Sequence, residues 1–151
     1  MKNHKRMLVI ALPITGLVFG WAASAQDVKL MPKETISFEA RPGAQGLAQA
    51  AIHGNLQKAG LYAVQVKFAP GAKAPVHTHP DERVLNVLAG VLYFGTGSTF
   101  DESAMKPLQA GSVVIIAPDQ PHYVWAKDGE VVAQEAGFGP TATKPWPQAV
   151  R

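Results

Sequence analysis

The stretch Gly71-Ala-Lys-Ala-Pro-Val-His-Thr-His-Pro-Asp-Glu-Arg-Val-Leu-Asn-Val-Leu-Ala-Gly90 is the part of the chain that most constrains its fold. His77 and His79 are separated by one residue, and residues i and i+2 of an extended strand project from the same face. Two imidazoles placed side by side in this way can share one metal ion. A third histidine, His122, follows Pro121 in a similar setting. Three imidazoles on one β-scaffold indicate a site for a first-row transition metal.

The N-terminus has the pattern of a secretory signal peptide, which we assign to residues 1–25. Three basic residues lie within the first six positions, an apolar run covers 7–21, and small residues occupy 23 and 25. We expect cleavage between Ala25 and Gln26 and a periplasmic or secreted protein. The apolar run of about 15 residues is short for a bilayer span of roughly 20. We therefore expect no stable membrane association after cleavage.

Charge and composition narrow the function classes of the mature chain. The full chain has 14 basic and 11 acidic residues, and the leader holds three of the basic ones and no acid. The mature part therefore carries no net formal charge, which argues against a nucleic-acid partner. Roughly 126 residues remain after the leader, enough for one domain. The chain has no cysteine, so this domain has no disulfide to stabilise it.

Strand signals follow one another along most of the mature chain. Leu61–Phe68 alternates, with Tyr62, Val64, Val66 and Phe68 on one face. The run Val113–Ile116 has the apolar composition of a strand that is buried on both faces. Many short strands bounded by Gly and Pro predict an all-β sandwich or barrel, with no helix longer than two turns. We place an extended N-terminal arm at 26–46, the barrel at 47–137 and a Pro-rich C-terminal strap at 138–151.

These motifs resemble those of the cupin superfamily, in its small single-domain form. Gly71 is followed after five residues by His77-Thr-His79, and Gly90 closes the first motif. Gly111 and the pair Pro121-His122 match the spacing of the second motif. The resemblance implies a conical β-barrel of the jelly-roll (double-stranded β-helix) type, with its ligand site in the barrel mouth. It also implies a homodimer.

The resemblance further implies a metal site of three histidines and one carboxylate. By correspondence His77, His79 and His122 are the ligands of a divalent transition metal. We favour Fe(II), with Zn, Mn, Ni or Cu as alternatives. The position of the carboxylate is occupied by Arg83. Its guanidinium stays charged and cannot act as a ligand.

Three outcomes are open at this position. The site can be a three-histidine metal site, with Arg83 turned aside or holding an anionic group of a substrate. The turn at Pro80-Asp81 can break strand parity, so that Glu82 or Asp81 reaches the metal. Finally, the site can lack a metal altogether. Tyr123 and Trp125 are expected to line the pocket because they are close in sequence to His122.

The resulting functional hypothesis is an exported, metal-dependent (di)oxygenase of a small organic molecule, anionic if Arg83 is its anchor. A binding module that captures an anionic ligand with Arg83, without turnover, is the first alternative. A redox-neutral isomerase or lyase is the second alternative. The family resemblance does not separate them, because one fold hosts many chemistries.

Overall fold

Two antiparallel β-sheets account for half of residues 28–147, the part of the chain that the computed structural model describes. The expected signal peptide lies outside these residues. In chain order the strands are β1 (Glu39–Ala40), β2 (Leu47–His53), β3 (Gly60–Phe68), β4 (Lys73–Thr78), β5 (Arg83–Ala89), β6 (Val91–Thr96), β7 (Lys106–Gln109), β8 (Val113–Ile116), β9 (His122–Trp125), β10 (Val131–Gly139) and β11 (Lys144–Pro145). Short 3-10 turns lie at Lys33–Thr35 and Glu102–Ala104.

The strand order identifies a jelly-roll barrel. The first sheet has the order β1-β2-β3-β10-β5-β8, and the second has the order β11-β4-β9-β6-β7. Strands that are neighbours in a sheet are mostly distant in sequence, since the chain passes back and forth between the two sheets. The predicted all-β barrel is therefore confirmed. Within residues 28–147 no helix is both long and apolar enough to cross a membrane.

The main core lies between the two sheets. The four residues predicted to share one face of β3 are all buried there, as the alternation of side chains along a strand requires. The second sheet also carries a smaller apolar cluster on its other face, which we call the outer cluster. It contains Val76, Met105 and Tyr123, with Tyr93, Phe100, Trp125 and Trp146 packed against them.

The prediction that Val113–Ile116 is buried on both faces is wrong. Ile116 is buried, but Val113 is 58% exposed and Ile115 is 70% exposed. The strand β8 lies at the end of the first sheet and pairs only with β5 in that sheet. A run of β-branched residues suits both a doubly buried strand and an edge strand with an apolar outer face, so composition alone could not separate them.

The segments at the two ends of the barrel add short strands to it. In the N-terminal arm, β1 pairs with β2. In the C-terminal strap, β11 pairs with β4, where Pro145 lies opposite His77. The strand β10 continues to Gly139, two residues past the predicted end of the barrel. The strap therefore passes directly beside the histidine pair.

Candidate metal centre

The three histidines predicted to bind metal lie together. His77 is on β4 and lies directly opposite His122, the first residue of β9. His79 follows the end of β4. The ring centroids are 4.3–5.2 Å apart, and one nitrogen from each ring lies within 4.8 Å of the others. Phe94 stacks on the His122 ring, with 5.6 Å between centroids.

Each imidazole is oriented by a backbone carbonyl. The Nδ1 of His77 is 2.7 Å from the oxygen of Pro75, and that of His122 is 2.9 Å from the oxygen of Gln120. The Nδ1 of His79 is 2.8 Å from the oxygen of Ala142 in the strap. A carbonyl oxygen can only accept, so each Nδ1 carries a proton and donates it. Each Nε2 is then left with a free lone pair, as in metal-binding histidines.

Burial keeps these imidazoles neutral. It lowers the pKa of His77 to about 3, with a further decrease from the nearby His122. It lowers the pKa of His79 to about 4, where the positive charge of Arg83 adds to the effect. The pKa of His122 is also lowered, mainly by burial. All three rings are therefore neutral at neutral pH, which is the form that binds a metal.

The donor set fits a divalent transition metal. The Nε2 of His79 is buried and has no hydrogen-bond partner, which is unfavourable unless a ligand completes it. Two imidazole nitrogens bound to one ion are at most about 4.2 Å apart, twice a metal–nitrogen bond of about 2.1 Å. Three nitrogens on one tetrahedral ion are about 3.4 Å apart, so nitrogens that lie within 4.8 Å of one another would close by up to about 1.4 Å on binding. Within residues 28–147, no carboxylate joins this group.

Arg83 lies in the interior but not as an open anion anchor. Its side chain is 4% exposed. One terminal nitrogen donates to Glu135 Oε2 at 2.6 Å, and the other donates to Asp81 Oδ1 at 2.7 Å and to Thr141 Oγ1 at 2.5 Å. Both terminal nitrogens are thus occupied by groups of the protein itself. Arg83 was expected to hold an anionic group of a substrate, whereas its terminal nitrogens contact Asp81, Glu135 and Thr141.

Arg83 belongs to a connected set of five side chains, which we call the Arg83 network. Its members are Tyr62, Asp81, Arg83, Glu135 and Thr141. The Tyr62 hydroxyl donates to Asp81 Oδ2 at 2.5 Å, and the Thr141 hydroxyl donates to Asp81 Oδ1. Burial raises the pKa of Asp81, but these donors and the charge of Arg83 outweigh it, so the net shift is downward.

A glycine makes room for the Arg83 network. A Cβ added to Gly137 would lie 2.7 Å from the Tyr62 hydroxyl and 2.8 Å from Asp81 Oδ2. Real Cβ atoms do not approach polar atoms so closely. Gly137 lies opposite both Tyr62 and Arg83 in the sheet, so β10 can pass over the network only because it lacks a side chain there.

Other predicted site residues lie away from the histidines. Glu82 is exposed and precedes β5. Asp81 is buried, but both of its oxygens are bonded within the Arg83 network. Tyr123 and Trp125 belong to the outer cluster, so the expectation that they line the pocket is corrected. Successive strand residues point to opposite faces, and Tyr123 therefore faces away from its neighbour His122.

Two charged residues near the site were missed from the sequence. One is Glu135, which shares the inward face of β10 with Val131 and Ala133. A single carboxylate on an otherwise apolar strand face indicates a buried polar site, and this signal was available in the sequence. The other is Arg41, which lies beside the site in the loop after β1. It had no recognisable local pattern.

A cleft of about 830 Å³ reaches the histidine cluster at His77. It lies between residues 41–47, residues 69–77 and two residues of the strap, and no Asp or Glu lines it. Lys73 lines the cleft, but its ammonium is paired with Glu102 at 2.6 Å. Within residues 28–147, the side chain of Arg41 donates only to Thr143 Oγ1, at 2.6 Å, and forms no ion pair.

Solved structures with the same architecture come from several bacteria. The polyketide cyclase RemF from Streptomyces resistomycificus has a TM-score of 0.67 at 15% identity, covering 82% of this chain and 88% of that one. An RmlC-like cupin from Shewanella frigidimarina NCIMB 400 has a TM-score of 0.58 at 22% identity, covering 75% and 92%. The DMSP lyase DddQ from Ruegeria pomeroyi DSS-3 has a TM-score of 0.62 at 20% identity, covering 78% and 64%.

At these identities the likeness shows the fold alone. No curated protein sequence matches the chain. The sequence profile of the cupin domain family Cupin_2 matches residues 64–134, a range that contains all three histidines. This match, together with the jelly-roll topology, identifies residues 64–134 as a domain of the cupin superfamily.

Proposed function

We propose that this protein is a metal-dependent enzyme that acts on a small anionic organic molecule. The observation that carries the proposal is the arrangement of the three imidazoles. Each is held by a carbonyl at Nδ1 and is neutral, and all three place a nitrogen within 4.8 Å of the others. Three protein ligands leave coordination positions open, which is typical of catalytic rather than structural metal sites.

The metal would be held by His77, His79 and His122, without a carboxylate from the protein. A bound divalent ion would supply Lewis-acid chemistry, and Fe(II) would also supply redox chemistry. Three neutral ligands leave the double positive charge of such an ion uncompensated. This favours a substrate that brings its own negative charge to the open side.

The cleft beside His77 supports an anionic substrate. It contains no carboxylate, and Arg41 lies in it with no ion-pair partner within residues 28–147. A guanidinium can bind a carboxylate through two parallel hydrogen bonds. We therefore assign the role of anion anchor, expected from the sequence at Arg83, to Arg41. The anchor and the metal ligand His77 line the same cleft.

Two reaction classes suit this site. The first is the (di)oxygenase class expected from the sequence, for which an Fe(II) ion held by His77, His79 and His122 would supply redox chemistry. The second is a redox-neutral reaction such as a cyclisation, elimination or isomerisation. Its support is that a polyketide cyclase and a DMSP lyase are among the proteins of similar fold. A binding module without turnover is the remaining alternative.

Metal content is the first test of the proposal. Elemental analysis of the mature protein, expressed with added metal, should find close to one transition-metal ion per chain. The His122→Ala variant should lose it. His53→Ala is the matched control, because His53 is exposed and lies outside the cluster. Less than about a tenth of an equivalent in the wild type would overturn the metal site and leave the binding module.

Oxygen uptake then separates the reaction classes. The iron-loaded protein is mixed with small acids, catechols, flavonols, diketones and thiols in an oxygen electrode. Uptake that is lost in His79→Ala supports the oxygenase. Turnover of the same compounds without oxygen supports the redox-neutral class. If no compound turns over but one raises the melting temperature equally with and without metal, the protein is a binder.

Export of the protein also stays a proposal. It rests on the signal-peptide pattern of residues 1–25. Mass spectrometry of the protein from a periplasmic fraction should find Gln26 as the first residue. An intact Met1 in that preparation would contradict the predicted cleavage.

A further inference from the structure

We propose that the Arg83 network is a positioning device for one metal ligand, His79. In this chain the arginine that replaces the family's carboxylate would not touch the metal. It would instead fix the carbonyl that orients a histidine. The inference deepens the proposed metal site and rests on it, but its first test uses the metal-free protein.

His79 differs from the other two histidines in where its orienting carbonyl comes from. His77 and His122 each donate to a carbonyl two residues earlier in their own segment. His79 donates to Ala142, which is 63 residues away in the C-terminal strap. A local carbonyl is placed by the strand itself. The carbonyl of Ala142 is correctly placed only if the strap is held against the barrel.

The Arg83 network grips both segments that define this contact. Asp81 follows His79 after a single residue, Pro80. Thr141 immediately precedes Ala142. The Thr141 hydroxyl donates to Asp81 and accepts from Arg83. The segment that carries the ring and the segment that carries its acceptor are therefore joined by one buried set of hydrogen bonds.

Few other contacts hold the strap near Ala142: the Thr143 hydroxyl accepts from Arg41 at 2.6 Å, and the Trp146 amide donates to the carbonyl of Val76 at 3.0 Å. The amide of Thr141 donates to the carbonyl of Leu56 at 2.6 Å. Further on, β11 pairs with β4 through only Lys144 and Pro145, which are both exposed. A short, exposed strand is a weak constraint on its own. Among the described residues of the strap, Thr141 is the one nearest to Ala142 whose side chain bonds to the interior.

The shape of the guanidinium explains why an arginine suits this position. Its two terminal nitrogens contact Asp81, Glu135 and Thr141 together, on three different segments of the chain. A lysine ammonium is a single point on a flexible stem and cannot span these acceptors in one plane. Partners of metal ligands fix the tautomer and ring orientation, and their loss typically lowers metal affinity about 10–100-fold.

The test compares three variants of the strap. Thr141→Val removes the hydroxyl with little change in shape, and Thr141→Ser restores it. Thr143→Val is the matched control, because among the described residues the Thr143 hydroxyl bonds to Arg41 alone. Histidine side-chain ¹H–¹⁵N spectra of the metal-free proteins report which ring nitrogen carries the proton. Zn(II) and Co(II) affinities are then measured by competition with a chelator.

The expected result is selective for one ring. In Thr141→Val, His79 should lose its fixed Nδ1–H form while His77 and His122 keep theirs. Its Zn(II) and Co(II) affinities should fall about 10–100-fold. Thr141→Ser should recover the wild-type spectrum and affinities, and Thr143→Val should not change them. If Thr141→Val does not fold, Arg83→Lys makes the same comparison with the positive charge retained.

Two results would overturn the inference. One is an unchanged His79 spectrum in the variant. The other is an equal change in all three histidines, which would indicate a general loss of structure. A wild type that binds no metal but shows the selective change at His79 would defeat the proposed function and leave the positioning role standing.

Discussion

Replacing Arg83 with methionine should strongly destabilise the metal-free protein. Methionine has a similar length but no charge, so the change removes the cation and leaves two carboxylates in the interior. Asp81 is 7% exposed and Glu135 is 18% exposed in their side chains. Removing one partner of a buried ion pair typically costs about 3–5 kcal/mol, because the remaining charge is uncompensated.

The two carboxylates lose different shares of their hydrogen-bond donors when Arg83 is replaced. Asp81 keeps the hydroxyl donors of Tyr62 and Thr141. Glu135 loses Arg83, its only side-chain donor within residues 28–147, but retains some contact with water. We therefore expect the lower end of the range, about 3 kcal/mol. For a domain of about 120 residues this corresponds to a fall in Tm of roughly 12 °C.

Urea unfolding of the mature metal-free protein measures this loss. Arg41→Met is the matched control, since Arg41 makes one side-chain hydrogen bond and no ion pair within residues 28–147. It should lose less than about 1 kcal/mol. Adding Asp81→Asn and Glu135→Gln to Arg83→Met should recover part of the loss. A loss below about 1 kcal/mol for Arg83→Met alone would refute the reasoning.

Three further outcomes are expected. Stability of the metal-free protein should fall as the pH is lowered from 6.5 to 4, because the unfolded chain binds protons at His77 and His79 first, whose folded pKa values are about 3 and about 4. His79 contributes about 3 kcal/mol of this fall, so His79→Gln should reduce the fall by about that amount in urea titrations and leave the contribution of His77. Arg41→Gln should weaken binding of anionic ligands about tenfold or more in calorimetry without changing metal content, whereas equal affinity would remove the anchor role. The protein should be a dimer in light scattering, because an apolar edge strand needs covering and four apolar residues are exposed on β5 and β8: Val84, Leu88, Val113 and Ile115. Ile115→Glu should make it a monomer. A wild-type monomer would contradict this prediction.

Strand parity explains how much of the site the sequence could predict. Applied to Leu61–Phe68, it placed four residues in the core correctly. The same rule turns Tyr123 and Trp125 away from His122, whereas nearness in sequence predicts that they lie beside it. The structure sends both aromatic side chains to the outer cluster. A short strand brings neighbours in sequence to opposite sides of the sheet.

The partners of Arg83 could not be predicted in the same way. Glu135 and Thr141 are 52 and 58 residues away from it in sequence. Their contact depends on the pairing of β10 with β5 and on the path of the strap, which no local pattern specifies. The spacing of the histidines did predict their cluster correctly, because His77 and His122 lie on adjacent strands whose register brings them opposite each other.

The charges of Asp81 and Glu135 explain why an arginine stands at position 83 in place of the family's carboxylate. A glutamate at position 83 would face Asp81 and Glu135, placing three carboxylates in one buried region with no cation among them. Such a group would be partly protonated or unstable. Arg83 pairs with both carboxylates, and the donors from Tyr62 and Thr141 complete Asp81. The interior can therefore hold either the family's glutamate or this acidic pair. In this chain the acidic pair is present, so under the proposed function the negative charge on the open side of a three-histidine metal would come from the bound molecule.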